Sequence, residues 1–166
     1  ISGSKTWDDA NNQDGIRPAT ITIKLLADGK EVDSETVVAD TNGDWNWKFE
    51  NKPKFDAGKE IQYTITEVAV DGYEAIVAGF NVTNKHTPET TTVKGEKTWN
   101  DANNQDGIRP TSITISLNKK VGTTITNAIQ TRTVTAEGGW KWEFKDLPKY
   151  EAGQLIQYSI SEISVA

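Results

Sequence analysis

The sequence predicts an all-β protein of two tandem sandwiches, and three observations predict it. A long segment occurs twice: KTWDDANNQDGIRP, from Lys5 to Pro18, returns as KTWNDANNQDGIRP, from Lys97 to Pro110, at an offset of 92. Apolar residues alternate with period two in both copies. Short alternating runs are separated by Gly, Asn, Asp and Pro clusters, with no sustained helical period, which is the pattern of a sandwich of short strands.

The first strand opens each copy. Ile1, Gly3, Lys5 and Trp7 share one face, as do Val93, Gly95, Lys97 and Trp99. Lys94, Glu96 and Thr98 already supply the solvent face, so Lys5 and Lys97 stand where alternation asks for an apolar side chain. A buried ammonium is costly unless it is paired, or loses its proton and becomes a nucleophile.

The loop that follows, with Asp9, Asn11, Gln13, Asp14 and Gly15 (Asp101, Asn103, Gln105, Asp106 and Gly107 in the second copy), alternates oxygen side chains. Its spacing departs from that of a calcium loop and no terminal Glu closes it, so the reading is an Asx-bonded turn with Arg17-Pro18 stiffening its exit and no metal. Ile21, Ile23 and Leu25 then form one apolar face, and Trp45, Trp47 and Phe49 another. Alternation of the tryptophans with Phe49 and Phe144 predicts core packing rather than a sugar-stacking surface.

Next comes YTITE, in which Glu67 follows Tyr63 and Ile65 on an inward face, recurring as YSISE ending at Glu162. The offset has grown to 95, which implies three inserted residues, placed around Lys119 to Asn127 in a surface turn. A last strand follows in copy one, with Phe80, Val82 and Asn84 on one face. Adding the offset to Asn84 passes the final residue, so the second copy is expected to lack its last strand. His86, the single histidine, reads as a plain solvated residue. Residues 88–92, in a Pro- and Thr-rich run, read as the connector between domains at 1–87 and 93–166.

Composition bounds the rest. The chain has 166 residues, 35% hydrophobic and 25% charged, a formal net charge of -6 and no cysteine. Disulfides, thiolate metal sites and cysteine nucleophiles are excluded. No basic patch recommends nucleic acid as a partner, and no apolar run approaches the ~18 residues of a membrane span. The absence of Met is expected of an excised fragment.

Lys5, Glu67 and Asn84 are thus three polar intruders on the first, penultimate and last strand segments of one sandwich. The K-T-W opening, the D-D-A-N-N-Q-D-G-I-R-P loop, the W-x-W strand, the Y-T-I-T-E box and the closing T-N-K-H-T-P resemble the Cna protein B-type repeats of Gram-positive surface adhesins and pilins. That resemblance implies a reverse immunoglobulin-like sandwich and an extracellular, cell-wall location. It also implies a spontaneous isopeptide bond, with Lys5 as nucleophile, Asn84 as electrophile and Glu67 as the assisting acid. Burial favours the neutral amine and the neutral acid such a reaction needs. Lys97 and Glu162 match the pattern without their Asn.

The expected function is a stalk or spacer whose partners are neighbouring repeats, formed without cofactor and without turnover catalysis. Two alternatives belong to other classes. One is a module that binds host matrix directly. The other is an incomplete second sandwich that captures a complementing strand by β-augmentation and bonds it to Lys97.

Overall fold

The computed structural model describes residues 1–165, which separate into two compact units with the division between Thr87 and Pro88. Every element assigned among the described residues is a strand.

The first unit contains β1 (Ser2–Asp8), β2 (Ile21–Ala27), β3 (Lys30–Val37), β4 (Trp45–Lys48), the short β5 (Phe55–Asp56) and β6 (Lys59–Glu60), β7 (Tyr63–Glu67), β8 (Glu74–Ala78) and β9 (Asn81–Lys85). One sheet has the order β4-β1-β9-β8 and the other β3-β2-β7, with β5 and β6 forming a separate small hairpin. The first and last strands lie side by side, because β1 pairs in parallel with β9. The core joins both sheets: Ile21, Ile23, Leu25, Val37 and Ile65 meet Trp45, Trp47, Phe49 and Val82. The period-two apolar positions are therefore the packed positions, and the tryptophans of β4 are core residues at 7% and 3% exposure.

The second unit contains β10 (Thr90–Glu96), β11 (Ser112–Val121), β12 (Thr124–Thr135), β13 (Lys141–Pro148), β14 (Tyr150–Glu151) and β15 (Gln154–Glu162). Its sheets are β10-β13 and β12-β11-β15-β14, around a core of Ile113, Ile115, Leu117, Val134, Phe144 and Leu147. Among the described residues β10 pairs with β13 alone, whereas β1 has a neighbour on each side. The consequence is local as well as global. Residues 5–8 of β1 are held by residues 82–85 of β9, and the matching residues 97–100 lie beyond the end of β10.

Two sequence expectations are revised. Residues 90–92, read as connector, belong to β10, because Thr90 and Thr91 find strand partners in Pro148 and Leu147. The inserted residues are not a single block either. Ile21 pairs with Val37, but Ile113 pairs with Val134, so the hairpin is five residues longer in the second unit, and the following turn to Trp140 is two shorter. Sequence offset reports only the net of three.

Gly3 shows how tightly the closing segment is seated. A Cβ built on Gly3 would lie 1.6 Å from the Phe80 carbonyl oxygen, so β1 admits only glycine where the chain turns into β9. At Gly95 the nearest atom is a Trp142 side-chain carbon at 2.7 Å.

Candidate functional site

β1 and β9 place Lys5 and Asn84 on the same inward face. In the parallel register Lys5 lies opposite Val82 and Trp7 opposite Asn84, so lysine and asparagine are diagonal neighbours on adjacent strands. Glu67 arrives from the facing sheet at the end of β7, where it pairs with Ile23 of β2. The Lys5 Nζ donates to Glu67 Oε1 at 2.5 Å, and both side chains are 0% exposed. The Trp7 ring, with its centroid 4.7 Å from Nζ, lies against the amine.

Burial pushes the Lys5 ammonium below its ordinary value of 10.5, and the hydrogen bond and charge of Glu67 only partly restore it. That is the direction that prepares an amine for nucleophilic attack. The rest of the pocket is unusual in what it leaves unmade. Glu67 Oε2 and both polar atoms of Asn84, Oδ1 and Nδ2, are buried without a hydrogen-bond partner, and Asn84 is 0% exposed. Each such orphan costs about 1–3 kcal/mol, and native interiors contain few of them.

The second unit repeats half of this arrangement. Lys97 Nζ donates to Glu162 Oε2 at 2.8 Å, with the Trp99 ring centroid 4.7 Å away. Both side chains are 26% exposed. The two pairs share chemistry and differ in solvent.

The loop after β1 is more than a turn. Ala10, Asn11 and Asn12 all have left-handed φ (51, 57 and 58°), as do Ala102, Asn103 and Asn104 (50, 59 and 59°). Asp9 is its hub: its carboxylate accepts from the Asn12 N–H, from Arg17 Nε and Nη2 at 3.1 and 2.7 Å, and from the Tyr73 hydroxyl at 2.8 Å. The Asx bond expected here forms, but Arg17 does more than stiffen an exit, because its guanidinium is the bidentate partner of Asp9. Burial pushes the Asp9 carboxyl up, and the bonds from Arg17, Asn12 and Tyr73 outweigh it and hold the group below 3.8.

His86 is not a plain solvated residue. Its Nδ1 lies 2.9 Å from the Gly72 carbonyl oxygen and its Nε2 2.7 Å from Asp14 Oδ2, and the side chain is 14% exposed. Tyr73 and His86 escaped the sequence reading because their partners lie 64 and 72 residues away in aperiodic loops. The one available signal was an excess of carboxylates in the loop without a visible use.

Two tandem sandwiches, in each of which a lysine on the opening strand or just past its end meets a glutamate from the facing sheet, define a class of all-β repeat protein. The chain belongs to the Cna protein B-type domain family, whose profile matches residues 1–85 and 93–166. It is 40% identical over 164 residues to a collagen adhesin of Staphylococcus aureus, covering 99% of this chain and 13% of that protein. Among solved structures it is similar to a single B repeat unit (B1) of the S. aureus collagen-binding surface protein, at 36% identity and a TM-score of 0.48, over 99% of this chain and 85% of that one. The two-repeat B1B2 structure matches with the same identity and TM-score, over 99% of this chain and 42% of that one.

Proposed function

We propose that this chain is a pair of stalk repeats from a bacterial cell-wall surface adhesin, and that its first repeat matures by an autocatalytic bond between Lys5 and Asn84. The observation that supports it is the wholly buried Lys5–Glu67–Asn84 group with the Asn84 carboxamide unpartnered at both ends. A folded interior tolerates that cost where the group has chemistry to do.

In this reading Glu67 takes the proton of the Lys5 ammonium, leaving a neutral amine and a neutral acid. The Lys5 Nζ attacks Asn84 Cγ, and Glu67 hydrogen-bonds the carboxamide and delivers a proton to Nδ2. The Cγ–Nδ2 bond breaks and ammonia leaves, Nζ gives its remaining extra proton back to Glu67, and a neutral amide joins Nζ to Cγ. Holding the partners on adjacent strands supplies an effective molarity on the order of 10⁵ M or more. The reaction occurs once per molecule. Because β1 and β9 are parallel neighbours at the two ends of the unit, the bond would place the load path across them and bypass the rest of the sandwich.

The relatives support the surface location. The S. aureus relative is named a collagen adhesin, and the matched structures are B repeat units of a collagen-binding surface protein of S. aureus. Tandem near-repeats suit a spacer, so collagen or other matrix binding is not assigned to these two units. The intact mass of the denatured chain tests the bond. A deficit of about 17 Da, one ammonia, is expected, lost in Lys5→Ala and retained in Lys97→Ala. A full-mass wild-type chain rules the bond out.

A second reading is carried by β10, whose edge opposite β13 is unpaired among the described residues, beside the part-exposed Lys97 and Glu162. That edge would accept a parallel strand bearing Asn or Asp. Incubation with a peptide of residues 69–87 is expected to give an adduct that Lys97→Ala abolishes; no adduct removes this reading.

A further inference from the structure

The Asn84 carboxamide makes no hydrogen bond in its pocket, so nothing polar there orients it before reaction. Its position depends on the backbone register of β9 against β1. What fixes the end of that register lies two residues further on. The His86 N–H donates to the Asp8 carbonyl at the end of β1 at 2.9 Å. Its ring is gripped from both sides, by the Gly72 carbonyl oxygen at Nδ1 and the Asp14 carboxylate at Nε2. Both groups are acceptors, so satisfying both requires a hydrogen on each ring nitrogen, which is the imidazolium.

The receiving loop is built in advance. Three consecutive left-handed residues cost roughly 1–2 kcal/mol each for ordinary side chains, yet the same three φ values recur in the second repeat. There Asn104 and Arg109 hold Asp101 as Asn12 and Arg17 hold Asp9, with no tyrosine or histidine bonded to the loop among the described residues. The loop therefore folds from its own residues and presents Asp9 and Asp14 to whatever closes over it. In the first repeat, Tyr73 and His86 do so.

We propose that His86 is the positioning residue of the Lys5–Asn84 condensation, an imidazolium that pins the exit of β9 to the Asp14 loop and so holds Asn84 in register with Lys5. This rests on the isopeptide reading above. The charged and titratable groups facing the ring are Asp14 and, farther away, Asp9 from the loop, with Arg17 bound to Asp9, and Tyr73, whose ring lies tilted at 5.5 Å. The Asp14 bond raises His86 above its ordinary 6.5, burial opposes this, and the Gly72 carbonyl and the two carboxylates add to the rise. The pin is thus complete below 6.5 and released as pH climbs through the raised value. Lys5 chemistry has the opposite sign, since a neutral amine is favoured by higher pH, so the two contributions separate when variants are compared at each pH.

The test uses the full chain collected unfolded in denaturant and refolded by dilution across a pH series, with tryptophan fluorescence reporting folding and intact mass reporting loss of ammonia. Near pH 6 the wild type is expected to condense about tenfold faster than folded His86→Ala, the factor of a charge-assisted hydrogen bond, with the ratio falling towards one near pH 9. Asp14→Asn is expected to show the same converging ratio. His86→Gln, which keeps an N–H donor without titrating, is expected to lie between wild type and His86→Ala near pH 6, with a rate profile that lacks the histidine titration. Folded His86→Ala that keeps pace with wild type near pH 6, or lags equally at every pH, overturns the proposal. If His86→Ala does not refold, His86→Gln is read in its place, and wild-type rates with an unchanged pH profile overturn it. A wild-type chain that never loses the mass overturns this proposal together with the isopeptide reading, whereas condensation indifferent to residue 86 overturns this one alone.

Discussion

The two repeats carry the same lysine–glutamate pair, and only one of them is dry. Lys5 and Glu67 are sealed, while Lys97 and Glu162 each keep 26% of their side-chain surface in water. The difference is not in the pair or its aromatic neighbour, since Trp7 and Trp99 lie at the same distance from their amines. It goes with β9, which lies beside Lys5 on β1 with β8 outside it, and neither strand has a counterpart among the described residues of the second unit. Loop residues follow the same rule. The Asp9 side chain is 1% exposed and that of Asp101 30%, and Ile16, which packs on Gly72, is 41% exposed against 80% for Ile108. A closing strand thus goes with a desolvated ion pair where its absence goes with a part-solvated one.

The largest expected effect breaks the comparison at the proposed Lys5–Asn84 bond. Denaturant unfolding of the wild type is expected to show two transitions, with the first repeat the more stable. Lys5→Ala should remove about 4–5 kcal/mol from that transition, the loop-entropy value for a link closing about 80 residues, and leave the other in place. A single coincident transition would show that the closing hairpin confers no separate stability.

A control sharpens it. Leu25 and Leu117 are both 0% exposed at matching positions, so Leu25→Ala and Leu117→Ala should each cost their own repeat about 3 kcal/mol. Unequal costs would place the difference between repeats in the core rather than at the closing strand. Gly3→Ala, which drives a methyl into the Phe80 carbonyl, should cost about 2 kcal/mol by thermal melting, and Gly95→Ala less, because the Trp142 ring can turn aside.

The smallest effect is that of pH. His86 is raised in the folded state, so its stabilisation is present below 6.5 and lost as pH rises through the folded value. The second repeat has no histidine, so a urea midpoint measured across this range should fall for the first repeat alone. His86→Gln should flatten the first.

Strands and site were legible to different depths. Lys5, Glu67 and Asn84 stood out because each breaks a period-two apolar pattern, which is a local signal. The Tyr73–Asp9 and His86–Asp14 contacts left none, because they join loops whose residues obey no period. The connector at 88–92 was misjudged at its far end because Thr90 and Thr91 read equally well as stiff linker or strand until β13 lay beside them.

The sequence by itself determined the all-β class, the duplication, the apolar faces and the inward lysines, because side-chain direction in a strand follows from position parity alone. Only the tertiary structure decided which lysine is dry, where β1 and β10 stop and what His86 touches. Desolvation and strand pairing are set by what packs across a gap, and for residues 5–8 that neighbour lies more than seventy residues along the chain.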